Sequence, residues 1–140
     1  MFKKIFKKKE VEQDSKHTLV AALLIHAAKI DDKYTSVEKE IIKKALISLD
    51  KTCADDVEKI LIKAEKKEQE SNQILEFTRE IKKHSMEFRL KIIEILWKIV
   101  YSDGTNDIYE TNLIRRVCGL LYISDKDSGI VKLKVKSSIK

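Results

Sequence analysis

Six carboxylates, grouped around two bends, are the side chains of this sequence whose type and spacing could do chemistry. Asp31, Asp32 and Glu38 frame the first bend, and Asp103, Asp107 and Glu110 frame the second. They offer oxygen only, which suits hard cations such as Ca²⁺ or Mg²⁺. Neither bend is an EF-hand loop: counted from Asp103, the twelfth position is Ile114 and not the glutamate that such a loop needs. A cation would therefore be held weakly, and only where the two bends converge. A simpler role is also open to the same acids. Asp31 and Asp103 stand where a helix should end, facing the negative pole of its dipole, so they need compensation nearby. The next helix can supply it. Thr35-Ser-Val-Glu38 and Asp107-Ile-Tyr-Glu110 both read as capping boxes, whose helix N-termini present bare N–H groups.

The elements that position these bends look like one unit used twice. Slid by 72 positions, residues 19–49 land on 91–121 without a gap. Leu24 meets Leu96, Asp31 meets Asp103, Glu38 meets Glu110, Ile42 meets Ile114 and Leu49 meets Leu121. Lys43-Lys44 meets Arg115-Arg116 in character. Similarity at a fixed offset points to a repeated supersecondary unit, here helix, acidic bend, helix.

Apolar periodicity predicts the remaining elements. Leu19, Ala22, Leu23, Ala27 and Ile30 make the stripe of a first helix, with His26 beside it as a partly buried, hydrogen-bonded side chain. Val37, Ile41, Ala45 and Leu49 make the second. Val57, Ile60, Leu61 and Ala64 make the third, capped by Asp55 or Asp56, and residues 63–72 read as a frayed end and loop. Ile74, Leu75, Phe77, Thr78 and Ile81 give a short fourth helix. Neither middle element shows a counterpart after the second unit. Ser85 caps the fifth helix, where Phe88, Ile92, Ile95, Leu96 and Ile99 form the richest stripe and Trp97 should bury its ring with the N–H at an edge. Gly104 suits a left-handed helix stop. The sixth helix runs from about 108 to 121. The last stretch, with Ile130, Val131, Leu133 and Val135, reads as a helix opened by Ser124, although Val-Lys-Leu-Lys-Val also alternates like a strand. The expectation is an all-α fold of about seven helices in one compact domain over residues 14–136, preceded by a basic head over 1–13.

Composition narrows the function classes. The chain has 140 residues, no proline and 3 glycines, so long helices go uninterrupted. No apolar run approaches the ~20 residues of a membrane span, and the N-terminal stretch lacks the apolar core of a secretory signal. Cys53 and Cys118 have no metal-ligand spacing, and reduced thiols in a cytoplasmic setting are expected. The net charge of +6 is carried almost entirely by lysine. Specific nucleic-acid reading favours arginine, so none is expected. Lys3, Lys4, Lys7, Lys8 and Lys9, with the lysines from Lys132 to Lys140, support an alternative reading as a peripheral binder of an anionic membrane or nucleic-acid surface. Binding that vanishes with salt and with removal of both ends would mark it. No glycine-rich phosphate loop and no nucleophile elbow occurs, and the expectation is a non-enzymatic module.

The run Ile95-Leu-Trp-Lys-Ile-Val-Tyr-Ser-Asp-Gly-Thr-Asn-Asp-Ile-Tyr-Glu110, followed by Leu113-Ile-Arg-Arg-Val-Cys-Gly-Leu-Leu-Tyr-Ile-Ser124, resembles the second half of TerB-like proteins, named for tellurite resistance. Ala27-Ala-Lys-Ile-Asp31 with Glu38 is similar to the first half, departing where Asp32 stands opposite Gly104. The likeness covers about 19–134. It implies an all-helical fold with pseudo-twofold halves, an acidic cluster connected with divalent cations, and a protein-interaction role in stress or metal-resistance systems near the inner face of the membrane.

Overall fold

The computed structural model describes residues 17–30, 34–50, 54–71, 74–102 and 108–138, except the side chains of 108–110. Among the described residues every regular element is a helix, in keeping with the missing proline and the apolar periodicity. The helices are α1 (residues 17–28), α2 (Ser36–Leu49), α3 (Val57–Glu70), α4 (Leu75–Ile81), α5 (Met86–Tyr101), α6 (Ile108–Leu120) and α7 (Asp125–Ser138).

Two of them form the interior. Along α1, Val20, Ala21, Ala22, Leu23, Leu24, Ile25, Ala27 and Ala28 are all buried, so this helix is enclosed nearly all round, with only His17 and His26 partly open, and does not bury a stripe alone. α5 is nearly as enclosed, through Ile92, Ile93, Ile95, Leu96, Trp97, Ile99 and Val100. At the offset of 72, seven aligned pairs are buried in both, from Val20 with Ile92 to Ala28 with Val100. The repeat is thus a repeat of burial more than of identity. Where α1 carries Ala21, Ala27 and Ala28, α5 carries Ile93, Ile99 and Val100, so the two helices contribute side chains of different size at equivalent positions.

The outer helices complete the two units. α5 packs against α2, α6 and α7. α2 lies against α3, and α6 lies against α7. So α7 stands after α6 as α3 stands after α2, and the duplication reaches one helix further than the sequence suggests. The match was hidden because α7 buries Ser128 and Val135 where α3 buries Val57 and Ala64, a common spacing with no common residue. α4 is left over, joining the two units and resting on α6.

Local signals place the helix ends. Thr35 and Glu38 close a full capping box on α2. The Ser85 hydroxyl accepts the Phe88 N–H at 3.2 Å, and the Ser124 hydroxyl accepts the Asp127 N–H at 3.1 Å. Asp56 takes the cap position of α3 without a side-chain bond. α3 itself continues to Glu70, through the polar stretch expected to fray. Its lysines and glutamates are good helix formers, and Glu65 and Glu68 tie that end to its neighbours, as described below.

α6 ends in a Schellman turn, with the Ile123 N–H donating to the Cys118 carbonyl at 2.9 Å. The left-handed position is filled by Tyr122 at φ 57, where glycine is usual. Tyr122 is 69% exposed and its ring meets only the Lys82 ammonium, 5.7 Å from its centroid, among the described contacts, so burial does not offset the strain. Tyr122→Gly is expected to raise the unfolding free energy by about 0.5–1 kcal/mol, read by urea denaturation, because the side chain is what crowds this conformation.

Candidate functional site

Of the six bend carboxylates, Glu38 is described with its side chain. Asp31, Asp32, Asp103 and Asp107 lie outside the described residues, as do the side chain of Glu110 and the head lysines Lys3, Lys4, Lys7, Lys8 and Lys9. Glu38 is 4% exposed. Its Oε1 accepts the Thr35 N–H at 2.9 Å and the Thr35 hydroxyl at 3.0 Å, while the Thr35 oxygen accepts the Glu38 N–H at 3.2 Å. The capping role read from the sequence is therefore realised at the first bend.

The structure adds acids that sequence reasoning missed. The inner face of α3 brings Glu65 and Glu68 to the same place. Glu68 is largely buried; its Oε2 accepts from Lys29 Nζ at 2.9 Å, and its Oε1 lies 3.3 Å from His26 Nδ1. His26 is thus the partly buried, hydrogen-bonded histidine expected, and it locks α1 to α3. Glu65 Oε2 stands 3.5 Å from Lys39 Nζ, which lies 5.0 Å from the centroid of the Tyr34 ring. A signal for Glu68 was present: it continues the α3 stripe of Val57, Leu61 and Ala64 at helical spacing. A carboxylate on an apolar face needs a cation within reach, and Lys29, just past the end of α1, supplies one.

Tyr34 registers the field of these acids. Its hydroxyl is shut off from solvent and has no hydrogen-bond partner among the described residues. Burial pushes its pKa well above the usual phenol range, and the charges of Glu65, Glu38 and Glu68 push it further. Burial likewise raises the thiol of Cys118, which is free and lies inside α6. Both groups hold their protons more tightly folded than unfolded. Their contribution to stability is complete below the unfolded pKa values and is lost as pH rises through the folded ones. The unfolding midpoint in urea is expected to fall as pH rises above about 9–10. Tyr34→Phe should flatten that fall while leaving stability at pH 7 unchanged or slightly higher, because it removes a buried hydroxyl that lacks a partner.

Chemically, this is an acidic face held in place by lysines and a histidine. Among the described residues, no three His, Cys, Asp or Glu side chains come together in a way that could hold a metal ion. A cation here would need the bend aspartates. No helix among the described residues is long and apolar enough to cross a membrane.

An all-helical module of two like units, with an acidic bend closed by a buried glutamate, is the class of protein that these features define. The family described as Tellurite resistance protein TerB matches residues 17–133, and the chain belongs to it. No curated protein and no solved structure matches the chain.

Proposed function

We propose that this chain is a non-enzymatic TerB-like interaction module of a stress or metal/tellurite-resistance response, whose acidic pole takes up a divalent cation or a partner protein. The observation that carries the reading is that Glu38, bonded to Thr35, and Glu65, held by the Lys39 that lies over the Tyr34 ring, gather at residues next in sequence to Asp31 and Asp32. Glu65 and Glu68 are paired there with Lys39, Lys29 and His26, and the sequence adds Asp31 and Asp32 within three residues of Tyr34. The capping box fixes where α2 begins and so where the bend must return. Ca²⁺ and Mg²⁺ fit an all-oxygen donor set, with weak affinity because the described acids are already engaged by Lys29, Lys39 and Thr35. The module works in the cytoplasm, at the inner face of the membrane, where a resistance complex would present its partner.

Calorimetric titration with Ca²⁺, Mg²⁺ and Mn²⁺ tests the cation arm, and co-purification tests the partner arm. Asp31→Ala combined with Asp103→Ala should abolish the heat or the captured partner while the far-ultraviolet helix signal stays intact. If no cation gives heat at millimolar concentration and the double variant captures the same proteins as the parent, the acidic-pole reading is wrong.

A further inference from the structure

Two aliphatic side chains of α7 stand in solvent, although the apolar pattern places them in its buried stripe. Ile130 and Leu133 are both more than half exposed, while α7 turns Ser128 and Val135 inward. They are three residues apart, so they share one helix face. The other exposed large hydrophobics, Val37, Ile62, Leu75, Met86 and Tyr122, each stand on a different element. We infer that this face of α7 docks on an anionic lipid surface, with Ile130 and Leu133 entering between headgroups and the lysines around them meeting headgroup charge.

The lysines are placed for it. Lys126 and Lys134 lie one turn to either side of Ile130, and Lys136 lies three residues beyond Leu133. All three are exposed. Lys126 and Lys136 meet no acid among the described residues, and Lys134 reaches Glu94 at 3.4 Å. Residues 129–138 carry lysines and no acid; the aspartates of α7, Asp125 and Asp127, sit in its first turn.

Packing turns this lysine-rich half away from the second acidic bend. The Trp97 indole N–H donates to the Ser128 hydroxyl at 3.3 Å, while Glu94, earlier in α5, meets Lys134, further along α7. So α7 runs antiparallel to α5. Its later half leads away from Tyr101, after which the bend of Asp103 and Asp107 begins.

The chemistry of the face favours lipid over a protein partner. A stable protein interface buries about 800 Å² on each partner, far more than two side chains supply. Lysine is also depleted from such interfaces, where its charge must shed water. A bilayer surface asks for neither a fitted counterpart nor a dry ammonium. An aliphatic pair enters it to shallow depth, and lysine stems lie along acyl carbon while their charges stay among the phosphates. Because α7 is already folded against α5 and α6, docking orders no new helix. This docking face rests on the reading of a module at the inner face of the membrane, and it is separate from the acidic pole.

The experiment is co-sedimentation of the full chain with vesicles of phosphatidylcholine alone and of phosphatidylcholine mixed equally with phosphatidylglycerol. Binding is expected on the mixed vesicles only, and it should weaken as salt is raised. Ile130→Ser combined with Leu133→Ser should weaken it by roughly tenfold or more. Lys126→Gln and Lys136→Gln should each weaken it by about fivefold. These side chains are exposed, so the far-ultraviolet helix signal and the urea midpoint should stay as in the parent. The head lysines remain in every variant, so a loss belongs to α7. A polarity-sensitive label at Ser137→Cys, on the same face seven residues past Ile130, should report a less polar setting on the mixed vesicles, in a Cys53→Ser, Cys118→Ala background. Equal binding to both vesicles, or a label that reports no change, overturns the proposal. So does a dimer in sedimentation equilibrium that the double serine variant breaks up, which would give the face to a second copy. Binding to mixed vesicles that survives in the double serine variant removes this face and keeps the membrane location. No binding to either vesicle removes both, and neither result alters the cation and partner tests of the acidic pole.

Discussion

Leu24→Ala and Leu96→Ala are each expected to lower the unfolding free energy by about 2–5 kcal/mol, as large-to-small changes in a closed core do. Both leucines are fully buried, and they meet at the repeat offset, one in α1 and one in α5. Each sits in a helix enclosed by its neighbours, so little rearrangement can fill the space left behind. The loss would be a large share of the ~5–15 kcal/mol that holds a typical domain together. The two losses should be similar in size, because the two positions do the same work in like units. Urea denaturation of the purified variants measures both. A Leu24→Ala variant as stable as the parent would mean that α1 is not the enclosed centre of the first unit.

Phe77→Ala should be comparably damaging, at about 3–5 kcal/mol, and its effect should begin locally. α4 has 7 residues and no side-chain bond at its start. A helix that short does not persist in water by its own hydrogen bonds. It is held by Phe77 and Ile81, each 1% exposed in the common core. With the ring removed, amide exchange should rise first in Leu75–Ile81 and spread to α6, on which α4 rests. Uniform loss of protection across α1 and α5, with none specific to α4, would contradict this.

These expectations show which parts of the fold could be read in the sequence. The caps at Thr35, Ser85 and Ser124 were legible because each is a local contract between a hydroxyl and an N–H three residues on. The helical stripes were legible because burial imposes a period. Enclosure of α1 was harder to see: residues 19–28 hold only His26 as a polar interruption, yet alanines widen the apolar face without announcing what covers it. The polar end of α3 was misread as loop because composition does not reveal that Glu68 will meet Lys29 and His26 from a helix some forty residues earlier. α7 was recognised as a helix, but its buried face was not. Ile130 and Leu133 are 57% and 64% exposed, whereas Ser128 is buried under the Trp97 indole. A serine that accepts a buried N–H looks like any surface serine until its partner is known. At the candidate site, Glu38 is readable through its capping box, and Glu65 is not, because its neighbour Lys39 lies in another helix, α2.

The proposed acidic pole requires the bend of Asp31 and Asp32 to meet the bend of Asp103 and Asp107. A pulsed dipolar distance between spin labels at Asp31→Cys and Asp103→Cys, in a Cys53→Ser, Cys118→Ala background, tests it most directly. A shared pole predicts a distribution centred below about 20 Å, roughly half the ~37 Å span expected of a compact chain of this length. A distribution centred near the full span would put the bends at opposite ends and contradict the account.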